Sequence, residues 1–343
     1  MDNPSRPWTM QQIADAAGVS VTTVSHALSG KRPVNPDTAA RIHRLIDQFQ
    51  YVPDAGARRL QSGRSRTIGL AVPDISHWYF GRIARGVEEA ANEADHGLVV
   101  ASTANADPRR ERRYFTMLST RAIDGLIYAS SRSTAEIDEL ARLARSAPLV
   151  LADEPIESID VPSVSTTVYE GALEAVTLLK ALGHERVVAV AGYQGLPSTL
   201  ARTRALHEVF PGALTFYGDF EVESGYRILG DLLAADLRFT AVFAHNDNMA
   251  IGAMRRLQDA GLRVPEDVSI IGFDDTDAAT MVTPALTTVR KDMVEVGRQS
   301  GRLLLDRLNG TPVAKQDSVL LPTELVVRGS TGPAPATPRP SSS

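Results

Sequence analysis

The chain has 343 residues, 43% of them hydrophobic and 22% charged, with no cysteine and a formal net charge of −5. That length suits two or three domains, the missing cysteine excludes disulfides, thiolate metal sites and a cysteine nucleophile, and the seven histidines are scattered without metal-ligand spacing. "MDNPSRPW" lacks a signal-peptide core and no run approaches the roughly 18 apolar residues of a membrane helix, so a cytoplasmic protein with no membrane partner is expected.

The charge is unevenly placed. Residues 1–65 carry eight Lys/Arg against five Asp, a net of +3, and the remainder carries 28 bases against 36 acids, a net of −8. A small basic head on a large acidic body points to a polyanionic partner for the head.

Residues 1–53 read as three short helices. Thr9 begins the first, with Gln12 completing a capping-box pattern, and Ile13, Ala14 and Ala17 share its apolar face. Gly18 suits the tight turn that follows. Ser20 begins the second helix, which buries Val24, Ala27 and Leu28. Asn35-Pro36 begins the third, with Ile42, Leu45, Ile46 and Phe49 as its stripe. The second helix therefore turns Val21, Thr22, Ser25 and His26 outward. Hydroxyls and an imidazole bond base edges or phosphates, and a Val methyl meets a thymine methyl. Such a face can also be merely solvated. The small residues Ala14 and Gly18, with Val24, let two helices cross closely, and the basic Lys31-Arg32 lies just beyond, so the pattern is that of a DNA-binding helix-turn-helix.

"YVPDAGARRLQSGRSR" follows. Pro53 ends the third helix, and "DAGARRL" is too short to hold a helix unaided. From Thr67 short apolar runs alternate with helical patterns: "TIGLAV", "GLVVAS", "GLIYAS", "PLVLA", "VVAVAG", "AVFAH" and "VSIIGF" read as buried parallel strands. That rhythm predicts two doubly wound α/β sheets, with ligands at the carboxyl ends of the strands. No dinucleotide fingerprint, phosphate loop, nucleophile elbow or metal cluster is present, so neither an enzyme nor a cofactor is expected.

"MQQIADAAGVSVTTVSHALSG" and "YVPDAGARRLQSGRSRTIGL" resemble the lactose/galactose/purine repressor family of bacterial transcriptional regulators, from Thr9 to about Ser330. "TTVSH" and "GDFEVESGY" are most similar to its purine-repressor branch. The resemblance implies an operator-facing set of Thr9, Ser20, Val21, Thr22, Thr23, Ser25, His26, Arg32, Asn35, Ala57 and Leu60. Within that set Thr22, His26 and Val21 read bases, and Leu60 is a minor-groove wedge. Asp54 stands where that family usually has Asn, and Gly56 weakens the hinge helix by up to ~1 kcal/mol relative to Ala.

For the body the resemblance implies a sensor of periplasmic-binding-protein shape, two lobes joined by three crossovers, with an effector between them. Tyr79, Phe80, Arg202, Phe220, Asn246 and Asp274 then face the effector. On their own residues, Arg202 would pass for a surface cation and Phe220 for a core aromatic. Ala205-Leu206 and Thr166-Thr167 depart from the family's usual Gly-Phe and Asp-Asn. The expected organisation is a head at 1–53 and a hinge at 54–66. A core follows at 67–330, with lobe 1 about 67–165 and 293–320 and lobe 2 about 166–292 and 321–330. A disordered tail is expected at 331–343. The expected function is a ligand-switched repressor that binds palindromic double-stranded DNA as a homodimer. A solute-binding protein would explain the body alone, and a Rossmann-type enzyme only the sheet.

Overall fold

The computed structural model describes residues 8–29, 32–51, 64–104, 107–129 and 137–336, and the chain divides into two compact units, Met1–Ser65 and Arg66–Ser343. The first unit holds α1 (Met10–Ala17), α2 (Val21–Ser29) and α3 (Pro36–Gln48). Each start is fixed by a side chain that satisfies an orphan backbone donor. Gln12 N–H donates to Thr9 Oγ1 at 3.3 Å while Thr9 N–H donates to Gln12 Oε1 at 2.9 Å. Thr23 N–H donates to Ser20 Oγ at 3.1 Å, and Asn35 Oδ1 accepts from Asp37 N–H at 2.9 Å. Gly18, at φ +63°, ends α1 in the left-handed conformation that glycine adopts without steric cost. Ile13, Ala14, Ala17, Val24, Ile42 and Tyr51 form the buried core, closed on one side by Trp8 stacked on Phe49 at 3.6 Å between ring centroids.

The second unit has two parallel sheets. In lobe 1 the order is β11-β5-β4-β3-β1-β2, with β1 Thr67–Val72, β2 Gly97–Ser102, β3 Gly125–Ala129, β4 Leu149–Ala152, β5 Ser163–Thr166 and β11 Val319–Leu321. Helices α4 (Trp78–Glu93), α5 (Pro108–Ser119), α6 (Ile137–Ala144) and the late α12 (Met293–Leu308) cover it. Lobe 2 has the order β7-β6-β8-β9, with β6 Val187–Ala191, β7 Leu214–Tyr217, β8 Ala241–Ala244 and β9 Ser269–Ile271. Its helices are α7 (Val168–Ala181), α8 (Pro197–Val209), α9 (Val222–Ala234), α10 (Asp247–Asp259) and the short α11 (Ala278–Met281). Strands β3, β4, β6 and β8 are buried along their whole length, each fully buried Val, Leu or Ile contributing about 1.5–3 kcal/mol.

Close helix pairing fixes both lobes. A Cβ on Gly86 of α4 would stand 1.9 Å from Val294 O of α12, and one on Gly252 of α10 would stand 1.9 Å from Val222 O of α9. Three crossovers join the lobes, at residues 166–168, 290–293 and 321–324. Two of them are tied together, with Thr323 N–H donating to Thr167 Oγ1 at 2.8 Å and Thr323 Oγ1 donating to Thr167 O at 2.9 Å. Beside them β10 (Thr288–Arg290) and β12 (Glu324–Val326) pair antiparallel. In each lobe the first strand, β1 or β6, lies between later ones, which creates a crevice at the strands' carboxyl ends.

Three expectations are corrected. "GLVVAS" is a strand but not a buried one: β2 is the sheet's edge, and Val99 and Val100 are 37% and 42% exposed. Apolarity marked the strand, while position in the sheet decided its burial. The tail is ordered through its first part. Thr331 and Thr287 hydroxyls bond at 3.0 Å, Gly332 N–H donates to Ser269 Oγ at 3.0 Å, and Ala334 N–H donates to Leu182 O at 2.8 Å. A segment needs no apolar side chains to be held in place when its polar groups find partners. Val21, expected to point outward, is only partly exposed and packs on the head's core. Ala57, Leu60 and the hinge helix, together with residues 337–343, lie outside the described residues.

Candidate functional site

A cleft lies between the lobes. Loops from the carboxyl ends of seven strands line it. Asp74, His77, Tyr79 and Phe80 follow β1; Asp153 and Glu154 follow β4; Tyr193, Leu196, Ser198 and Arg202 follow β6. Asp219, Phe220 and Glu221 follow β7, while Asn246, Asp274 and Lys291 follow β8, β9 and β10. This is where a doubly wound sheet places its ligand, because helix starts and strand ends converge there.

The polar groups fall into two sets. One set is internally satisfied. Lys291 Nζ, buried on the second crossover, donates to Asp153 Oδ1 at 2.9 Å and also to the Tyr79 hydroxyl, which itself donates to Asp153 Oδ1 at 2.6 Å. Burial, then the Asp153 charge, hold the Tyr79 phenol well above its ordinary value, so its proton stays in place. Ser198 N–H, in the first turn of α8, donates to Glu154 Oε2 at 3.3 Å across the lobes. Burial, with the Asp153 charge adding to it, raises the Glu154 carboxyl to about 7. Asn246 is spent as well: its Nδ2 donates to Phe220 O at 2.8 Å and its Oδ1 caps α10 through Met249 N–H at 2.9 Å.

The other set is buried and unpartnered. Arg202 Nε, Asp274 Oδ1 and His77 Nδ1 line the cleft without a hydrogen-bond partner. Leaving such groups unmade costs about 1–3 kcal/mol each, so they are poised for a molecule that supplies the missing bonds. The guanidinium of Arg202 is held over the Phe273 ring at 4.1 Å, a cation–π contact. His245 nearby is wholly buried with both ring nitrogens unpartnered, and burial followed by the Arg202 charge holds it neutral. Burial raises the Asp274 carboxyl to about 6 against the opposing pull of Lys291 and Arg202.

Three of the cleft's residues hold strained backbone. Asp153, Phe220 and Asp274 have φ of +67°, +71° and +106°, conformations that cost about 1–3 kcal/mol each and persist where the surroundings demand them. Two further contacts join the lobes at the rim, Arg82 with Asp277 at 2.7 Å and Asn248 Nδ2 with His77 Nε2 at 3.5 Å. Among the described residues no cluster of three or more His, Asp or Glu is arranged to hold a metal ion.

All six residues expected to face an effector, Tyr79, Phe80, Arg202, Phe220, Asn246 and Asp274, line this cleft. Sequence reasoning misses Asp153, Glu154, Lys291 and His77. The signal for the first two is a pair of acidic residues directly after the buried run "PLVLA"; for Lys291 it is a lone lysine in the crossover "TVRKD".

In the head, Thr22 and Arg32 are exposed, and Ser25 and His26 are half-exposed on α2. Thr23 bonds Ser20 Oγ at 2.9 Å, so both hydroxyls serve the helix start, as Thr9 and Asn35 serve theirs.

A helical head presenting such a face, and a two-lobed parallel α/β unit closed around a polar cleft, define a transcriptional regulator with a periplasmic-binding-protein-like sensor. Residues 9–54 match the bacterial regulatory proteins of the lacI family, and residues 176–331 match a periplasmic binding protein-like domain. The chain is 36% identical to the HTH-type transcriptional repressor CytR of Escherichia coli (strain K12), over 95% of this chain and 97% of that one. It superposes on the lac repressor dimer bound to operator and the anti-inducer ONPF with a TM-score of 0.87, at 26% identity, over 95% of this chain and 100% of that chain. It also superposes on the complex of the transcriptional regulator CelR with cellobiose, with a TM-score of 0.72 at 29% identity and the same coverage. The chain belongs to the lacI family of bacterial regulatory proteins, and it is a regulator of transcription rather than an enzyme.

Proposed function

We propose that the chain is a cytoplasmic repressor that binds a palindromic operator as a homodimer and is switched by a small molecule, a sugar, sugar phosphate or purine, held between the lobes. The observation that carries this reading is the pair formed by a buried donor, Arg202 Nε, and a buried acceptor, Asp274 Oδ1. Neither has a partner, and both line the cleft that Phe220 walls. A ligand with hydroxyl or amide groups satisfies both, while its flat face packs on the aromatic ring.

Such a ligand also touches both lobes, because Arg202 and Asp274 follow strands of lobe 2 while Tyr79 and Asp153 follow strands of lobe 1. Its differential affinity for one lobe arrangement shifts the population toward that arrangement, and this is the physical content of the switch. The dimeric state is supported by the exposed apolar edge of β2, Val99 and Val100, and by the dimeric lac repressor that the chain resembles.

A thermal-shift screen against sugars, sugar phosphates and purines tests the reading, since a ligand at 100 times its Kd adds about 2.7 kcal/mol. The hit must then change the affinity of the full chain for its operator. A ligand that stabilises the chain but leaves operator binding unaltered would overturn the switch.

A further inference from the structure

We propose that the cleft selects a polyhydroxylated effector that carries no phosphate or carboxylate. The inference rests on the reading of the cleft as the effector site, and it narrows the chemistry that the site accepts.

Six carboxylates line the cleft: Asp74, Asp153, Glu154, Asp219, Glu221 and Asp274. Among the described residues the cations that oppose them are Arg202 and Lys291, and the Lys291 ammonium is already engaged, by Asp153 at 2.9 Å and by the Tyr79 hydroxyl. That leaves one guanidinium with a free donor. Protonation of Glu154, raised by burial to about 7, still leaves the acids in excess.

Proteins bind phosphate with cations and with free N–H groups at helix starts. Around this cleft the chain occupies four N–H groups, at or just before helix starts, with its own acceptors. In α8, Ser198 N–H donates to Glu154 at 3.3 Å; ahead of α4, Ser76 N–H donates to Asp74 Oδ1 at 2.8 Å. At the start of α9, Glu221 N–H donates to Asp219 Oδ1 at 3.0 Å, and in α10 Met249 N–H donates to Asn246 Oδ1 at 2.9 Å. A phosphate at any of these four groups would have to displace an internal acceptor, and anywhere in the cleft it would sit among like charges.

The same groups define what is welcome. An ionised carboxylate only accepts hydrogen bonds, so an acceptor-rich cleft is complemented by a ligand rich in donors. Hydroxyls meet Asp274 and Glu154 and use their own lone pairs for Arg202. An amine is tolerated for the same reason. The rings of Phe220 and Tyr193, packed edge-to-face at 5.7 Å, give an apolar surface for the flat side of a sugar or heterocycle.

The test is isothermal titration of the full chain with matched pairs: ribose and ribose 5-phosphate, glucose and glucose 6-phosphate, adenosine and adenosine 5′-monophosphate, with glucosamine as a basic member. At least one uncharged or basic probe should bind, and its phosphorylated counterpart should bind about 50-fold more weakly or worse, given like charges a few ångströms apart in a partly buried site. Replacing the rim acids together, Asp219→Asn with Glu221→Gln, should narrow that ratio about tenfold. Equal or tighter binding of a phosphorylated member, lost in Arg202→Ala, overturns the inference while the effector site stands. A panel in which no unphosphorylated member binds also overturns it. Binding that Arg202→Ala leaves untouched for every probe overturns the cleft as the effector site, and the inference with it.

Discussion

The ring of Phe220 rests on the bare backbone of Gly192, so closely that a Cβ at 192 would stand 1.9 Å from Phe220 Cζ. Gly192 ends the β6 run and Phe220 lies beyond β7, at φ +71°, with its carbonyl held by Asn246 Nδ2 at 2.8 Å. One wall of the cleft therefore depends on the absence of a single methyl group.

Gly192→Ala should displace that ring. No flexible side-chain end can yield, since the clash is with an aromatic ring already packed against lobe 2's core. Overpacking of this kind costs about 1–3 kcal/mol. Calorimetry should show a lower Tm for the core together with effector affinity reduced about tenfold or more, while operator affinity without ligand is retained.

Arg202→Ala and Asp274→Ala should each abolish the effector response without loss of DNA binding. Each removes a group that bonds a buried ligand atom, a loss of about 1–3 kcal/mol, roughly 5- to 150-fold in affinity. Arg202→Ala also vacates the face of Phe273. Operator titrations with and without the identified ligand decide the matter; a parental response from both variants places the effector elsewhere.

Core stability should fall as pH rises from about 4 to about 7. The buried Asp247 carboxyl is raised to about 7 by burial first and by the Asp274 charge second, against hydrogen bonds from Thr288 and Thr276 that lower it. An unfolded Asp titrates near 3.9. Between those values the native state keeps a proton that the unfolded chain has released, so each pH unit removes up to about 1.4 kcal/mol per such group. Glu154, raised to about 7, and Asp274, raised to about 6, act in the same direction. Thermal unfolding should give a higher Tm at pH 5.5 than at pH 8, and Asp247→Asn, which exchanges the titrating carboxyl for a neutral amide of the same shape, should flatten the slope.

Thr22→Ala and His26→Ala should weaken operator binding by about 1–3 kcal/mol for each base-edge hydrogen bond removed. The head's melting should not change, because neither side chain belongs to its buried core. Leu60→Ala should weaken operator binding too, on the proposal carried by the family resemblance that this side chain is a minor-groove wedge, which would offset unstacking costs of a few kcal/mol. Fluorescence anisotropy with labelled operator reads all three, and unchanged effector affinity in each is the control.

Val100→Arg should shift the protein toward monomer. Val100 is 42% exposed on the edge strand β2, and a charge introduced there would be buried without a partner in a dimer, which is costly. Sedimentation at micromolar concentration should show a dimer for the parent and a lighter species for the variant; a parental monomer would remove the dimer from the proposed function.

Much of the head is legible in sequence because its determinants are local. The pairs Thr9–Gln12, Ser20–Thr23 and Asn35–Thr38 lie three residues apart, the reach of one helical turn, and each start reads as a cap. The apolar runs are legible as strands because parallel strands covered on both faces need unbroken hydrophobicity. Strands β5, β7, β10, β11 and β12 do not stand out, because unlike the equally short β4, β8 and β9 they are not buried along their whole length and, β11 apart, carry no unbroken apolar run. Arg202, Phe220 and Asp274 can be named only through resemblance to a family, since their own surroundings in sequence look like a helix surface, a loop and an acidic turn.

What the sequence determined by itself was the set of local commitments: caps, apolar periods, the basic head and the acidic body. Tertiary structure alone decided which strand became an edge, leaving Val99 and Val100 exposed, and which carboxylates found partners. Asp153 reaches Lys291 across 138 positions of chain and Glu154 reaches Ser198 across 44. No period links such residues. They come together because parallel strands deliver all their carboxyl ends to one side of the sheet, and the crossovers bring two such sides face to face.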